Sequence, residues 1–222
     1  MINNRAVIFV NGVLPEPKAV LSLIHPGDLL IAADGGLRHI KRLGLTPHVL
    51  IGDLDSVSPQ DILALQNSAV QVERYPVDKN ETDLELALLY ACRHKCQHIV
   101  LIGALGGRLD QTLGNISLLL LPELAGLDVR LDDGIEEVFF IRTSAALDGQ
   151  PGDTVSLLPW NGPVQGVTTH HMRYPLFAET LYPEHTRGIS NVIEDLPASV
   201  QISSGLLLCI HTRKSQKGSA DL

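Results

Sequence analysis

Hydrophobic residues in the first half of the chain fall in short unbroken runs separated by polar, glycine-bearing links. Ala6-Val7-Ile8-Phe9-Val10, Leu29-Leu30-Ile31-Ala32-Ala33, Val49-Leu50-Ile51 and His98 to Ile102 are such runs, with Val70-Gln71-Val72 a shorter one. Apolar runs without alternation predict strands buried on both faces. Helical signals alternate with them: Leu37 to Leu43, stopped by Gly44, and Pro59 to Gln66. The clearest helix follows Thr82, where Leu84, Ala87, Leu88 and Ala91 repeat at i, i+3, i+4, i+7. Thr82 as N-cap and Glu85 three residues on form a capping box, with Asp83 in the first turn. Another helix, carrying Leu113, Ile116 and Leu120 on one face, runs on to Pro122. Strand–helix units joined by short links predict a mostly parallel sheet covered on both faces.

After Leu127 the pattern changes. Val129-Arg130-Leu131 and Val138-Phe139-Phe140-Ile141 flank the turn signal Asp132-Asp133-Gly134. Short β-like runs then recur at 155–158, 164–169, 200–203 and 206–210, punctuated by Pro and Gly and without a helical period. This predicts an all-β C-terminal sandwich behind an α/β N-terminal domain. Asp148-Gly149-Gln150-Pro151-Gly152 sets the expected boundary, with domains over 1–147 and 148–213 and the first β-rich strands from about 129. The polar, small-residue tail from Lys214 to Leu222 reads as disordered.

Composition narrows the function classes. The 17 basic and 25 acidic residues give a net charge of −8, which argues against a general nucleic-acid footprint. No apolar run reaches membrane-spanning length, and Met1 to Arg5 leads directly into the first strand without room for a signal peptide. The three cysteines, Cys92, Cys96 and Cys209, are an odd count in no metal-knuckle spacing, which suits a reducing, cytoplasmic compartment.

Four acidic or glycine-rich clusters follow expected strands: Asp34-Gly35-Gly36, Gly52-Asp53-Leu54-Asp55-Ser56, Asp78 to Asp83, and Gly103 to Gln111. Parallel topology gathers such ends at one edge of the sheet, where ligands bind. Asp53 and Asp55 project to the same side if the strand period persists, and paired carboxylates there suit Mg²⁺ held jointly with phosphates. Glycines let a backbone approach phosphate, and Arg108 offers a planar fork of donors. Asp53, Asp55, Asp83 and Asp110 then supply metal and acid–base oxygens for transfer between phosphates.

The motifs G-D-L-D-S, D-K-N-E-T-D-L-E-L-A-L, G-A-L-G-G-R-L-D-Q and T-R-G-I-S-N, with A-D-G-G at 33–36, V-S-L-L-P at 155–159 and R-Y-P-L at 173–176, span most of the chain. In this order they resemble the thiamin pyrophosphokinase family. The resemblance implies ATP plus thiamin giving AMP plus thiamin diphosphate, with Mg²⁺, in a homodimer with thiamin near the subunit interface. It implies Asp53, Asp55 and Asp83 as metal ligands, and Arg108, Asp110 and Gln111 as substrate-site residues. Asp83 or Asp110 then orients or deprotonates the acceptor hydroxyl, while Asp34, Gly35, Gly36, Gly106 and Gly107 cradle the nucleotide. Ser190 and Asn191 match a late S-N pair of the thiamin pocket, and Tyr174 stands where an aromatic ring stacks on thiamin.

Three positions depart from the family pattern. His48 replaces an aspartate, Gln111 a histidine, and His170-His171-Met172 a threonine-glycine-leucine stretch near the presumed acceptor pocket. Competing readings are a diphosphokinase acting on a hydroxymethylpterin and a nucleotide-binding regulatory module without turnover. Plainer roles also exist: Asp34 as a helix cap, Asp78 as a turn residue, Trp160 as a packing anchor and Arg187 as a solvated loop residue.

Overall fold

In the computed structural model, which describes residues 4–55, 57–66 and 68–214, the unbroken apolar runs are strands buried along most of their length. Ser56 of the two-aspartate turn and the tail beyond Lys214 lie outside the described residues. The first unit, Met1–Gly134, contains β1 (Arg5–Phe9), α1 (Pro17–Leu21), β2 (Leu29–Ala33), α2 (Leu37–Arg42), β3 (Val49–Gly52) and α3 (Pro59–Gln66). It continues with β4 (Gln71–Arg74), α4 (Asp83–Arg93), β5 (His98–Ile102), α5 (Leu109–Leu118) and β6 (Asp128–Asp132). All its strand pairs are parallel, in the order β6-β5-β1-β2-β3-β4. The chain runs outward from β1 to β4 and then returns to the other side of β1, so the strand order switches between β1 and β5. That crevice is where such sheets take ligands.

Local chemistry explains the elements. Thr82 Oγ1 accepts the Glu85 backbone N–H at 3.2 Å and starts α4. Leu84, Ala87, Leu88 and Ala91 are buried, and the helix packs on β2 and β3. Leu113 departs from expectation. It is 46% exposed, and α5 ends at Leu118, so Ile116 is the buried side chain of that helix. α1 is a turn and a half started by Pro17 and anchored by Val20.

The second unit, Ile135–Leu222, comprises β7 (Glu136–Ile141), β8 (Ser144–Leu147), β9 (Thr154–Pro159), β10 (Val164–His170), β11 (Glu179–Leu181), β12 (Asn191–Val192), β13 (Ala198–Gln201) and β14 (Leu207–Thr212). One layer has the order β12-β9-β14-β7 and the other β11-β10-β13-β8, with antiparallel pairing in both. Phe139, Ile141, Val155, Leu157 and Leu207 of one layer pack with Val164, Val167, Leu181 and Val200 of the other. This is the expected sandwich. Its division from the first unit falls at Gly134, before the Asp148–Gly152 segment. That segment is a turn inside the sandwich between β8 and β9, because β7 pairs with β14 and β8 with β13. β6 meanwhile pairs in parallel with β5 and so belongs to the sheet of the first unit, and the Asp132-Asp133-Gly134 turn joins it to β7 as the sequence pattern predicts. Trp160 packs edge-on against Phe140, with ring centroids 5.5 Å apart.

A buried polar cluster lies inside this unit. His211 Nε2 meets Asp153 Oδ2 at 2.9 Å, and its Nδ1 faces Glu137 Oε2 at 3.4 Å. Asp153 also accepts backbone N–H bonds from Gln150 and Lys214 at 3.0 and 2.8 Å. Burial alone would lower the His211 pKa, but its bonds to Glu137 and Asp153 outweigh that and raise it.

Candidate active site

The β2–β3 register aligns Ala33 with Ile51, so the residues just beyond each strand end come side by side. Asp34 follows β2, Asp53 follows β3, and Asp83 opens α4 above them. One carboxylate oxygen from each lies within 4.8 Å of the others. Gly52 makes the approach feasible. A Cβ there would stand 3.1 Å from Asp34 Cβ and 3.3 Å from Asp83 Cγ, and its φ of +151° is one that L side chains rarely adopt. Asp34 and Leu54 also hold positive φ values of 44° and 69°, so the backbone on both sides of the group carries local strain.

Three half-buried carboxylates at this distance repel one another. Lys79 Nζ, 2.7 Å from Asp83 Oδ1, supplies one counter-charge. Burial nevertheless pushes the Asp83 carboxyl above its usual range, against the lowering influence of Lys79. Asp55 is exposed and does not join the group. Its backbone N–H donates to Asp53 Oδ1 at 3.0 Å, and the Asp53 charge raises its pKa. The same-side projection of Asp53 and Asp55 fails because β3 ends at Gly52 and Leu54 takes a left-handed turn.

Beside the carboxylates, at the β1/β5 switch point, opens a cavity of about 760 Å³. Arg38, Arg42 and Arg108 line it, with Gly106, Gly107 and Gln111. A smaller cavity of about 340 Å³ holds Asp34, Lys79 and Asp83, and shares Asn11, Gln111 and Asn115 with the first. Gly106 and Gly107, at φ +74° and +76°, have only the Val13 side chain near their missing Cβ atoms, so their backbone lies open to a ligand. Gly35 and Gly36 do not. A Cβ on Gly36 would fall 1.9 Å from the Phe9 carbonyl oxygen and one on Gly35 would strike Asn11, so close packing under β1 requires these glycines. Arg108 and Asp110 form an exposed bidentate pair at 3.1 and 2.6 Å, and Asp110 stands apart from the carboxylate group. Arg108 holds the Asp110 carboxyl below its usual range.

Several residues here carried no sequence signal. Arg38 donates to the Asn11 and Gly12 carbonyls at 2.9 Å each, and His39 Nε2 bonds the Gly12 carbonyl at 2.9 Å. The Gly12 N–H donates to the Gly103 carbonyl at 2.9 Å, closing the floor between β1 and β5. Asn115 Nδ2 fixes the Ala104 carbonyl at 2.8 Å. Apolar-run and acidic-motif reading passes over such residues, because their roles come from non-local backbone contacts. His48, the departure beside the aspartates, accepts the Leu30 N–H on Nδ1 at 2.9 Å and is a brace between strands.

The second unit has its own cavity, about 360 Å³, lined by Tyr174, Leu176, Thr186, Arg187, Ile189 and Asn191 among others. Tyr174 is 56% exposed. Asn191 is buried and its amide is engaged by the Tyr174 backbone, accepting the N–H at 2.9 Å and donating to the carbonyl at 2.8 Å. It therefore positions Tyr174. Ser190 is exposed at φ +58°, its N–H bonded to Ser156 Oγ at 3.0 Å, and it does not line this cavity. Neither His170 nor His171 lines it, and Met172 is in the core.

Comparison with known proteins finds the same family for both units. The family profile described as thiamin pyrophosphokinase, catalytic domain, matches residues 20–131, and that for the thiamin pyrophosphokinase vitamin B1 binding domain matches 141–207. A thiamine pyrophosphokinase of Bacillus subtilis is 27% identical over 186 residues, covering 83% of this chain and 87% of the relative. Thiamine pyrophosphokinase 3 of Oryza sativa is 35% identical over 124 residues, 46% of each chain. The crystal structure of the thiamine pyrophosphokinase from Bacillus subtilis matches with a TM-score of 0.85 at 24% identity, over 95% of this chain and 100% of that one, which shows a shared fold. Among the described residues no helix is long and apolar enough to cross a membrane. With the catalytic profile alone matching half of its residues and the second profile most of the sandwich, the chain belongs to the thiamin pyrophosphokinase family.

Proposed function

We propose that the chain transfers a diphosphoryl group from ATP to the hydroxyl of thiamin, giving thiamin diphosphate and AMP. One observation carries this reading: three carboxylates share a strand-end cleft with a cavity lined by three guanidinium groups. Arg38, Arg42 and Arg108 offer an anionic polyphosphate its counter-charges, and the open Gly106-Gly107 backbone lets it approach closely. Arg108 exchanges its Asp110 partner for phosphate as the nucleotide enters. In the reaction a bond forms between the thiamin oxygen and the β-phosphorus, and the bond from that phosphorus to the α–β bridging oxygen breaks. AMP leaves with the bridging electrons, and the hydroxyl proton passes to an aspartate. Asp83 stands in the carboxylate group at the strand-end cleft while Asp110 lies outside it, which favours Asp83.

Asp34, Asp53 and Asp83 fit Mg²⁺, since all three donors are hard oxygens and the Gly52 gap holds them together. When bound, the ion would neutralise charge on the transferred group. Asp55, exposed and outside this set, adds a further negative charge beside Asp53. The second-unit cavity takes thiamin, with Tyr174 as the aromatic face. Exposed Tyr174, Phe177, Tyr182 and Ile189 give the sandwich an apolar surface that suits a homodimer. The free cysteines suit a cytoplasmic location.

The test is incubation with ATP and Mg²⁺ plus either thiamin or a hydroxymethylpterin. AMP and thiamin diphosphate are expected with thiamin. AMP release only with the pterin, or ATP binding without turnover, would overturn the reading. The match of 141–207 to the vitamin B1 binding profile weighs against both of those outcomes.

A further inference from the structure

The second-unit cavity contains a charge that its expected occupant does not want. Of the side chains lining it, Arg187 is the charged one, and a thiazolium ring is also a cation. Arg187 does not face the cavity alone. Its Nε donates to Glu179 Oε2 at 3.0 Å and its Nη2 to Glu179 Oε1 at 2.8 Å, a bidentate pair between β11 and the loop that precedes β12. Nη2 also reaches the Pro175 carbonyl at 3.5 Å, next to Tyr174. The guanidinium is thus fixed against the segment that presents the aromatic ring, and its charge is met by a carboxylate that does not line the cavity.

We infer that Glu179 is a specificity-determining residue: by masking Arg187 it makes the pocket electrostatically permissive to a cationic acceptor. The inference rests on the placement of thiamin in this cavity. Planar bidentate geometry holds the two charges together more firmly than a single contact between flexible side chains. Arg187 keeps the Glu179 carboxyl below its usual range, so the mask persists well into acid. Without the carboxylate, an uncompensated guanidinium would confront a cation in one small cavity. Glu179 is not itself a lining residue, so removing its charge acts on the cavity through Arg187.

The experiment measures KM for two acceptors at saturating Mg²⁺–ATP. One is thiamin. The other is a neutral isostere in which carbon replaces the thiazolium nitrogen, retaining the pyrimidine and the hydroxyethyl group. Glu179→Gln is expected to raise the thiamin KM about fivefold, the scale of one solvent-exposed pair of charges at a protein surface. The increase should shrink as ionic strength rises, and KM for the neutral isostere should stay at the parent value. The double variant Glu179→Gln/Arg187→Gln should return the thiamin KM towards the parent, which also guards against misfolding of the single variant. An equal rise for both acceptors would assign Glu179 a purely structural role and overturn the proposal. So would an unchanged thiamin KM in Glu179→Gln alongside a raised one in Tyr174→Ala. If neither variant alters the thiamin KM while turnover persists, thiamin binds elsewhere, and the placement falls together with the inference.

Discussion

Replacing Asp53 by Asn separates the carboxylate group's function from its cost to the fold. The substitution is nearly isosteric, and an Asn side-chain oxygen can still accept the Asp55 N–H that Asp53 accepts at 3.0 Å. What it removes is one negative charge from a trio whose oxygens lie within 4.8 Å of each other. At that separation Coulomb's law gives about 1 kcal/mol per pair in water and about 3.5 kcal/mol at the effective dielectric of a protein surface. The three side chains are half-buried, so screening keeps the value near the lower figure. Two pairs are relieved, and the metal-free protein should therefore gain about 1–2 kcal/mol, a rise of roughly 2–4 °C in melting temperature for a chain of 222 residues. Asp55 should respond as well, because the Asp53 charge is the largest cause of its raised pKa. Its carboxyl should titrate lower in the variant, which carboxyl-carbon NMR can follow. Mg²⁺ should stabilise the wild type and stabilise Asp53→Asn much less, while turnover falls by about a hundredfold or more, as when another strong electrostatic contact is lost. Thermal melts with and without Mg²⁺, beside an AMP-release assay, measure these effects. A metal-free variant that melts below the wild type, or one that keeps the full Mg²⁺ effect, would refute the reasoning.

Gly12→Ala would put a Cβ 2.1 Å from the Gly103 carbonyl oxygen. It should cost about 1–3 kcal/mol by overpacking and raise the KM for ATP, as read by urea melts and ATP titration. The His211 cluster should give the sandwich an acid-side stability maximum. The raised His211 pKa contributes stability that is fully present below its ordinary 6.5 and is lost as pH climbs through the folded value, by about 1.4 kcal/mol for each tenfold gain in proton affinity on folding. Burial opposes ionisation of Asp153, but backbone bonds from Lys214 and Gln150, then His211, outweigh it and lower its pKa. Its contribution is therefore present above its ordinary 3.8 and lost as pH falls through the folded value. Denaturant melts of wild type and His211→Gln from pH 4 to 9 test this, and the variant should lose the decline on the alkaline side. Tyr174→Ala should raise the thiamin KM about two- to fivefold, the exposed end of the cation–π range, with ATP affinity by calorimetry unchanged.

The parallel half of the fold was legible because a strand buried on both faces has to be continuously apolar. β2 and β5 coincide with their runs at both ends. α1 was not legible, since five residues with one buried side chain present no period. The division at Gly134 was hidden for a different reason. Asp148 to Gly152 has the composition of a linker, yet Asp153 at its end is tied to His211, Gln150 and Lys214 inside the sandwich. The partner that brings β7 into the second unit is β14, some seventy residues later, and pairing at that distance leaves no local mark.

The site divides along the same line. Spacing brought out Asp53 and Asp83, but it paired Asp53 with Asp55, whereas the register of β2 on β3 pairs it with Asp34. The G-D-x-D motif therefore reads differently in three dimensions. Its glycine admits carboxylates from two other elements, its first aspartate joins them, and its second stays in solvent. Glycine signals were ambiguous in the same way. Gly35-Gly36 and Gly106-Gly107 look alike in sequence, but the first pair is required by the Phe9 carbonyl and the Asn11 side chain, and the second meets only the Val13 side chain at ordinary contact distance. A doublet of glycines marks a backbone that something must approach closely, and only the tertiary fold decides whether that is the protein itself or its ligand.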